Sequence, residues 1–212
     1  MIEATYIDHM GSDLSVANAA RVSFGKTSEM EENTWGPPTL KDKDAKLIRY
    51  LAKHKHISPF GHAFASFHVK APIFVARQLV KHKFLRWNEI SRRYVDDDPE
   101  FYQPDVWRGR SADKKQGSEG IIPLEHIDAY SFKHIKDYWH ETAGPDLGLE
   151  YEEGNHFPEF SMAQEVDYLQ SEEALSTYRS LLKAGVCPEQ ARMVLPQSTM
   201  TEWYWSGSLD AF

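Results

Sequence analysis

The residues best suited to binding chemistry are concentrated in one segment, residues 71–94 (APIFVARQLVKHKFLRWNEISRRY). Its cations from residue 77 to residue 93 are Arg77, Lys81, Lys83, Arg86, Arg92 and Arg93, and the acid among them is Glu89. The whole chain has a formal net charge of -8, so this positive charge is local. A nucleic-acid-binding domain is usually basic over a whole face, so a local patch indicates a small anionic ligand instead, with phosphate the natural candidate.

The same segment predicts a helix that begins at Pro72. Proline suits the first turn, because its fixed φ fits there and its missing N–H would have no partner. Spacings of three and four residues predict a buried side formed by Phe74, Val75, Leu79, Val80 and Phe84. The same spacings predict a second side of hydrogen-bond donors, formed by Arg77, Gln78, Lys81 and His82.

The spacing of the polar residues also carries a family resemblance. The triplet Lys81-His82-Lys83 is followed after seven residues by Ser91, with Gln78 before it and Glu89 and Arg93 around the serine. This pattern resembles the signature of the flavin-dependent thymidylate synthases, an RHR triplet followed by seven residues and a serine. The flanking stretches FHVKAPIFVARQ and NEISRRY resemble family sequence too. Both arginines of the triplet are lysines here, which keep the charge and lose the planar fork of the guanidinium.

The resemblance implies reductive methylation of dUMP to dTMP. Methylenetetrahydrofolate would give the carbon, reduced FAD would give a hydride, and NADPH would reduce the flavin. Because a flavin carries the hydride chemistry, the protein need only bind, orient and polarise. The resemblance also implies a homotetramer whose sites are shared between subunits.

Individual residues receive roles by their match to the family pattern. Those that the resemblance assigns to dUMP are Gln78, Lys81, Glu89, Ser91, Arg92, Arg93 and Arg192. Those that it assigns to FAD are His56, Ser58, Lys81, His82, Lys83 and Glu89. Ser91 is expected to hydrogen-bond the substrate rather than attack it, because a hydroxyl nucleophile needs a neighbouring base and a helix would turn Glu89 to another side.

No residue is assigned as catalytic. Family members normally continue for one or two helices beyond the part that resembles residues 201–212, and those helices carry further flavin-binding residues and an arginine that is thought to polarise the uracil ring. We therefore expect either a fragment or a short variant. In the second case a catalytically weak family member is an open alternative, to which the two lysines of the triplet also point.

Composition sets the broad class. With 212 residues and 41% hydrophobic residues, the chain is long enough for one domain or two small ones, and we predict a single family-like domain over residues 1–212. It lacks both an apolar run of roughly 20 residues, which a membrane span needs, and the pattern of a signal peptide. These features predict a cytoplasmic protein. The single cysteine, Cys187, excludes an intrachain disulfide and a cysteine-based zinc cluster and is interpreted as a small buried residue.

Periodicity predicts an α+β fold, a central, mainly antiparallel sheet flanked by helices. Strands are predicted at residues 3–8 and 61–70, and helices at 42–56, 124–139 and from 171 onward, with Ser15 capping an earlier helix. Pro188 is predicted to begin a further helix. Residues 105–164 fit the family pattern least and are interpreted as an insertion, with residues 107–120 as a polar loop. The histidines lack the HExxH pattern and the paired carboxylates of a metal site, so no metal is expected.

A non-enzymatic alternative remains open. The basic patch, with Trp87 and Tyr94 as stacking surfaces, would suit a nucleotide- or single-stranded nucleic-acid-binding module. The negative charge of the whole chain disfavours it, so no nucleic-acid partner is expected.

Overall fold

A computed structural model describes residues 1–113, 115, 117–122 and 162–212. The chain forms two compact units, the first made of Met1–Ser91 with Met200–Phe212 and the second of Arg92–Thr199. The strands are β1 (Glu3–Met10), β2 (Phe64–Pro72), β3 (Arg86–Glu89), β4 (Arg108–Arg110), β5 (Ser118–Ile121) and β6 (Met200–Ser208). The helices are α1 (Asp13–Arg21), α2 (Asp42–Lys53), α3 (Ile73–Leu79), α4 (Met162–Lys183) and α5 (Pro188–Ala191).

The first unit is built on a four-stranded sheet in the order β1-β2-β6-β3. Each neighbouring pair is antiparallel, which confirms the predicted α+β class. The alternation of residues 63–69 correctly predicts β2, because successive side chains of a strand point to opposite faces. The closing segment of the chain is β6, and it pairs with both β2 and β3.

One face of this sheet is covered by α3. Val69, Ala71 and Trp203 from the strands form a buried cluster with Ala76 of the helix. The indole of Trp87 stacks on that of Trp203 with a distance of 4.3 Å between ring centroids. Such stacked aromatic pairs add about 0.5–1.5 kcal/mol beyond the area that they bury. The cluster therefore fixes α3 to the face of the sheet on which the side chains of Trp87 and Trp203 lie.

The predicted long helix is wrong beyond Leu79. The chain turns there and continues as β3, and Phe84, expected on the buried side, is 82% exposed. Phe74 and Val80 are also exposed. Residues 86–89 gain a partner strand and, through Trp87, an aromatic stack on the sheet, and such tertiary contacts override a local preference for helix.

A buried ion pair joins α1 to α2. The Asp44 carboxylate has no exposed surface and accepts hydrogen bonds from the Ser28 hydroxyl, at 2.5 Å, and from Arg21. Burial opposes ionisation of Asp44 most strongly. The hydrogen bonds from Ser28 and Arg21, together with the charges of Arg21 and Lys43, outweigh it and hold the pKa of that carboxyl below its usual value. The predicted cap of α1 is displaced by one turn, because Ser12 is the N-cap residue and Ser15 accepts its backbone N–H at 3.1 Å.

The second unit contains α4 and α5. Leu175 and Tyr178 of α4 are buried in a cluster with Ala191 of α5. The helix predicted from residue 171 onward is confirmed, although α4 begins nine residues earlier than Ser171, at Met162. Pro188 is the first residue of α5, as predicted. Cys187 is exposed and precedes α5, so its interpretation as a buried residue is wrong.

Two further predictions concern residues 105–164. The polar loop expected at residues 107–120 contains an antiparallel pair, β4 with β5. Its strands carry mainly polar side chains, such as Arg108, whose Nε donates to the Ser118 hydroxyl at 2.7 Å, so no hydrophobic alternation marks them in the sequence. The helix predicted at 124–139 lies outside the described residues. Within the part of the chain that is described, no helix is long and apolar enough to cross a membrane.

Candidate functional site

The basic triplet lies in the turn that follows α3. The N–H of His82 donates to the carbonyl of Leu79 at 2.9 Å, which closes the end of the helix. Lys81, His82 and Lys83 are all exposed, as is Gln78 on the last turn of α3. The early end of the helix therefore leaves two ammonium groups, an imidazole and an amide open to solvent on one short segment. Ammonium groups and N–H donors of this kind suit a phosphate or another anionic acceptor.

Glu89, at the end of β3, is a predicted site residue whose two carboxylate oxygens both accept hydrogen bonds. Its Oε1 accepts the Thr201 hydroxyl at 2.8 Å. Its Oε2 accepts the indole N–H of Trp87 at 3.1 Å and an Nη1 hydrogen of Arg77 at 3.2 Å. The side chain is 16% exposed. Three donors thus hold this carboxylate in one orientation on the face of the sheet that α3 covers.

Ser91 lies just beyond β3 and is half-buried. The prediction that Ser91 and Glu89 share a helix is wrong, because residues 86–89 are a strand. Ile90 continues the pairing through its N–H, which donates to the carbonyl of Glu202 at 2.9 Å. The argument that a helix turns Glu89 away from Ser91 therefore no longer holds. The expectation that Ser91 binds substrate through its hydroxyl stays a prediction.

The arginines Arg92, Arg93 and Arg192 all belong to the second unit. Arg92 donates to the backbone carbonyl of Asp97 at 2.5 Å, and its side chain is 16% exposed. Arg93 lies over the ring of Tyr94, 4.9 Å from its centroid, and pairs with Glu189 at 3.8 Å. The Nε of Arg192 donates to the backbone carbonyl of Glu189 at 3.2 Å. Glu189 therefore brings Arg93 and Arg192 together.

The two remaining flavin candidates follow α2. His56 is exposed and ends a Schellman motif, in which its N–H donates to the carbonyl of Leu51 at 2.9 Å. The motif requires a left-handed residue before it, and that residue is Lys55, with φ 56°. The His56 ring lies near Tyr50, at 6.2 Å between centroids. Ser58 is exposed and begins a 3-10 helix, Ser58–His62.

The partners of Glu89 were missed by the sequence analysis. Thr201 lies 112 residues away and carries no local signal. Trp87 carries a local signal, because it lies two residues before Glu89 and residues two apart in a strand share a face. That signal is lost when the segment is interpreted as a helix. No group of three or more potential metal ligands occurs among the residues that the structure describes.

Comparison with known proteins shows to which family the chain is similar. The family model described as "Thymidylate synthase complementing protein" matches residues 5–212. A flavin-dependent thymidylate synthase of Thermus thermophilus is 37% identical over 203 residues, which cover 96% of this chain and 58% of that protein. The corresponding enzyme of Thermosipho melanesiensis is 36% identical over 200 residues, covering 94% of this chain and 69% of that protein. The chain therefore spans between about three-fifths and about two-thirds of these relatives' length.

Solved structures of a related methylase have a similar fold. The crystal structure of the UMP/dUMP methylase PolB from Streptomyces cacaoi, bound with 5-Br UMP, aligns with a TM-score of 0.65 and 28% identity. The alignment covers 100% of this chain and 73% of that protein. A second structure of PolB, bound with 5-Br dUMP, aligns with the same TM-score and identity over 75% of its chain. The sheet and its surrounding helices are thus similar to those of a pyrimidine nucleotide methylase.

Proposed function

The chain belongs to the thymidylate synthase complementing protein family, and we propose that it carries out the reductive methylation of dUMP to dTMP. The observation that carries the proposal is the exposed triplet, Lys81 to Lys83, in the same compact unit as the fixed carboxylate of Glu89. Relatives that match over nearly the whole chain are named flavin-dependent thymidylate synthases. The related PolB structures hold halogenated UMP and dUMP, which supports a uridine nucleotide as the substrate.

The proposed dUMP site uses charge and hydrogen bonds for different parts of the nucleotide. Cations suit the phosphate dianion, while the amide, hydroxyl and carboxylate can pair with the polar edges of the base and sugar. The residues proposed to hold dUMP are Gln78, Lys81, Glu89, Ser91, Arg92, Arg93 and Arg192. We assign these side chains to binding and orienting dUMP, and none of them to nucleophilic attack.

The proposed flavin site is tested by the chemistry of its donors. The carbonyl groups and the pyrophosphate of FAD are acceptors, and the exposed side chains of Lys81, His82, Lys83 and Ser58 are donors, so this donor set fits the cofactor. His56 and Glu89 complete the proposed set. When bound, FAD supplies the hydride for the reduction. The proposed co-substrates are methylenetetrahydrofolate, as the source of the carbon, and NADPH, as the source of electrons.

The proposed assembly is a homotetramer with sites shared between subunits. Its test is sedimentation of the full chain over a range of concentrations, with and without FAD. A stable tetramer supports shared sites. A monomer at all concentrations that nevertheless binds dUMP and FAD overturns them.

The binding-module alternative is weakened at both of its stacking surfaces. One face of the Trp87 indole is stacked on Trp203 and its N–H is hydrogen-bonded to Glu89, so that face is not available to stack on a base. Tyr94 is exposed, but Arg93 covers one side of its ring. The alternative of a catalytically weak family member concerns the rate and not the ligands. It predicts the same binding with slow turnover.

The experiment that tests the proposed function is the visible spectrum of the full chain after addition of FAD and removal of the excess, repeated with dUMP. A retained flavin band that changes on addition of dUMP supports adjacent flavin and nucleotide sites. Turnover is then measured with methylenetetrahydrofolate and NADPH. A colourless protein that also fails to bind dUMP overturns the proposal. A protein that binds both ligands without turnover supports the weak-member alternative.

A further inference from the structure

The two oxygens of the Glu89 carboxylate have different surroundings. Oε2 accepts from two groups, the indole of Trp87 and the guanidinium of Arg77, whose side chain is 54% exposed. Oε1 accepts from the hydroxyl of Thr201, a residue that is only 7% exposed. An exposed arginine can rotate away at little cost, whereas a buried hydroxyl on a central strand has no such freedom. Thr201 is therefore the more rigid of these two anchors.

The register of the sheet explains how Thr201 reaches Glu89. Glu89 lies opposite Trp203 in the pairing of β3 with β6. Thr201 precedes Trp203 by two residues, so it points to the same face and is the diagonal neighbour of Glu89, within reach of a side chain of that length. Trp87 precedes Glu89 by two residues on the same face and is fixed by its stack on Trp203. The antiparallel pairing thus places a donor on each side of the carboxylate.

An ionised carboxylate offers about four acceptor positions, and the three donors described here occupy three of them. Because Oε1 and Oε2 are both held, the carboxylate cannot rotate, and its remaining acceptor position on Oε1 has a fixed direction. A ligand N–H or O–H can use that position without any rearrangement of the side chain. Loss of the Thr201 bond would release one end of the carboxylate and remove this preorganisation.

We propose that Thr201 is a positioning residue for nucleotide binding, which acts through Glu89 and does not touch the ligand. The inference rests on the proposed function, since it takes Glu89 to be part of the dUMP site. It extends that function by assigning a role to a residue of β6 that lies outside the signature segment, and it makes the β3–β6 pairing a part of the binding machinery.

The test compares dUMP dissociation constants of the full chain and its variants by calorimetry. Thr201→Val removes the hydroxyl at similar volume and is expected to weaken binding about tenfold, as for the loss of one hydrogen bond. Thr201→Ser keeps the hydroxyl and is expected to restore the affinity. In a Glu89→Ala background, which removes both acceptor oxygens, Thr201→Val is expected to cause no further loss, because a residue that acts through Glu89 is not additive with it. In turnover assays, the loss is expected in KM rather than in kcat.

Thr199→Val is the matched control. Thr199 is also buried, at 1% exposed, and its hydroxyl donates to the carbonyl of Pro196 at 2.7 Å instead of to Glu89. Its removal costs a buried hydrogen bond and is expected to leave dUMP affinity unchanged. A second readout needs no ligand. The indole N–H resonance of Trp87, assigned with Trp87→Phe, is expected to shift in Thr201→Val and to stay in place in Thr199→Val.

The outcomes separate this inference from the proposed function. Suppose that the wild-type chain binds dUMP. Additive losses in the double variant, or an unmoved Trp87 resonance in Thr201→Val, then overturn the role of Thr201 and leave the proposed function standing. Wild-type chain that binds neither dUMP nor FAD overturns the proposed function and the binding role of Thr201 with it. Nonadditive losses that the serine variant rescues support the inference.

Discussion

Two nitrogens of Arg21, Nε and Nη2, donate to the same oxygen of Asp44, whose side chain is completely buried. The other carboxylate oxygen accepts from Ser28. This arrangement links α1 to α2 and to the segment that precedes α2, and α2 in turn leads to the candidate flavin residues His56 and Ser58. Asp44 therefore fixes the position of the helix that precedes these two candidate residues.

Asp44→Asn is expected to lower the free energy of unfolding by about 3 kcal/mol, near the low end of the range for breaking a buried ion pair. The low end applies because Arg21 keeps 19% of its side-chain surface exposed and its charge is partly solvated. Urea unfolding measures the change. The control is Asp42→Asn, an exposed acid in the first turn of the same helix, which is expected to cost about 0.5 kcal/mol. Equal losses in the two variants would contradict a special role for the buried pair.

The same carboxylate predicts a pH dependence of stability. The pKa of Asp44 is lowered in the folded state relative to the usual 3.8, so the unfolded chain binds its proton at higher pH than the folded chain does. The contribution of Asp44 is therefore complete well above pH 3.8 and is lost as the pH falls through that value toward the folded pKa. Unfolding free energies measured from neutral pH downward should fall less steeply in Asp44→Asn than in the wild type. Parallel curves for the two proteins would contradict this prediction.

The backbone at Lys55 gives a stability prediction of opposite sign. Its φ of 56° lies in the left-handed region, which costs a residue with a Cβ roughly 1–2 kcal/mol. Lys55→Gly is expected to raise the free energy of unfolding by about 0.5–1 kcal/mol, because glycine relieves this strain but also gains freedom in the unfolded chain. Lys55→Ala keeps the Cβ and is the control, for which no gain is expected in thermal unfolding. A gain in the alanine variant would assign the effect to the lysine charge.

The sequence predicts the parts of the fold whose signal is local. The alternation of β2 and the apolar stripe of α4 each arise from burial of one face of one element, so residues such as Val69 and Tyr178 mark them. The end of α3 was mispredicted because Lys81, His82 and Phe84 continue a helical spacing, while the contact that ends it, Trp87 on Trp203, joins strands far apart in sequence.

In the candidate site, too, some features have a local signal in the sequence and others depend on contacts between distant residues. Its residue types follow from a local motif, whereas the orientation of Glu89 depends on Thr201, 112 residues away. No periodicity within one element encodes such a pairing, because it is set by the register between β3 and β6. The sequence therefore predicts which groups bind, and the register of the sheet determines how Glu89 is held.

Ser91→Ala tests the assignment of this serine to binding. If its hydroxyl bonds the nucleotide, its removal is expected to weaken dUMP binding about threefold to tenfold, as for one neutral hydrogen bond. Titration of the full chain with dUMP measures the change, and Ser23→Ala, an exposed serine of the first unit, is the control. Complete loss of turnover with unchanged dUMP affinity would instead indicate a nucleophile.

Lys81→Gln tests whether the triplet binds through its charge. Lys81 is exposed in the turn after α3, and loss of a charge-assisted bond to a phosphate is expected to weaken dUMP binding by a factor of about ten to a hundred. Lys81→Arg keeps the charge and adds a planar fork, so it is expected to bind dUMP at least as tightly as the wild type. Lys46→Gln, at an exposed position of α2, controls for the change in net charge. If Lys46→Gln weakens dUMP binding as much as Lys81→Gln, the effect comes from the overall field of the protein and the triplet has no specific role.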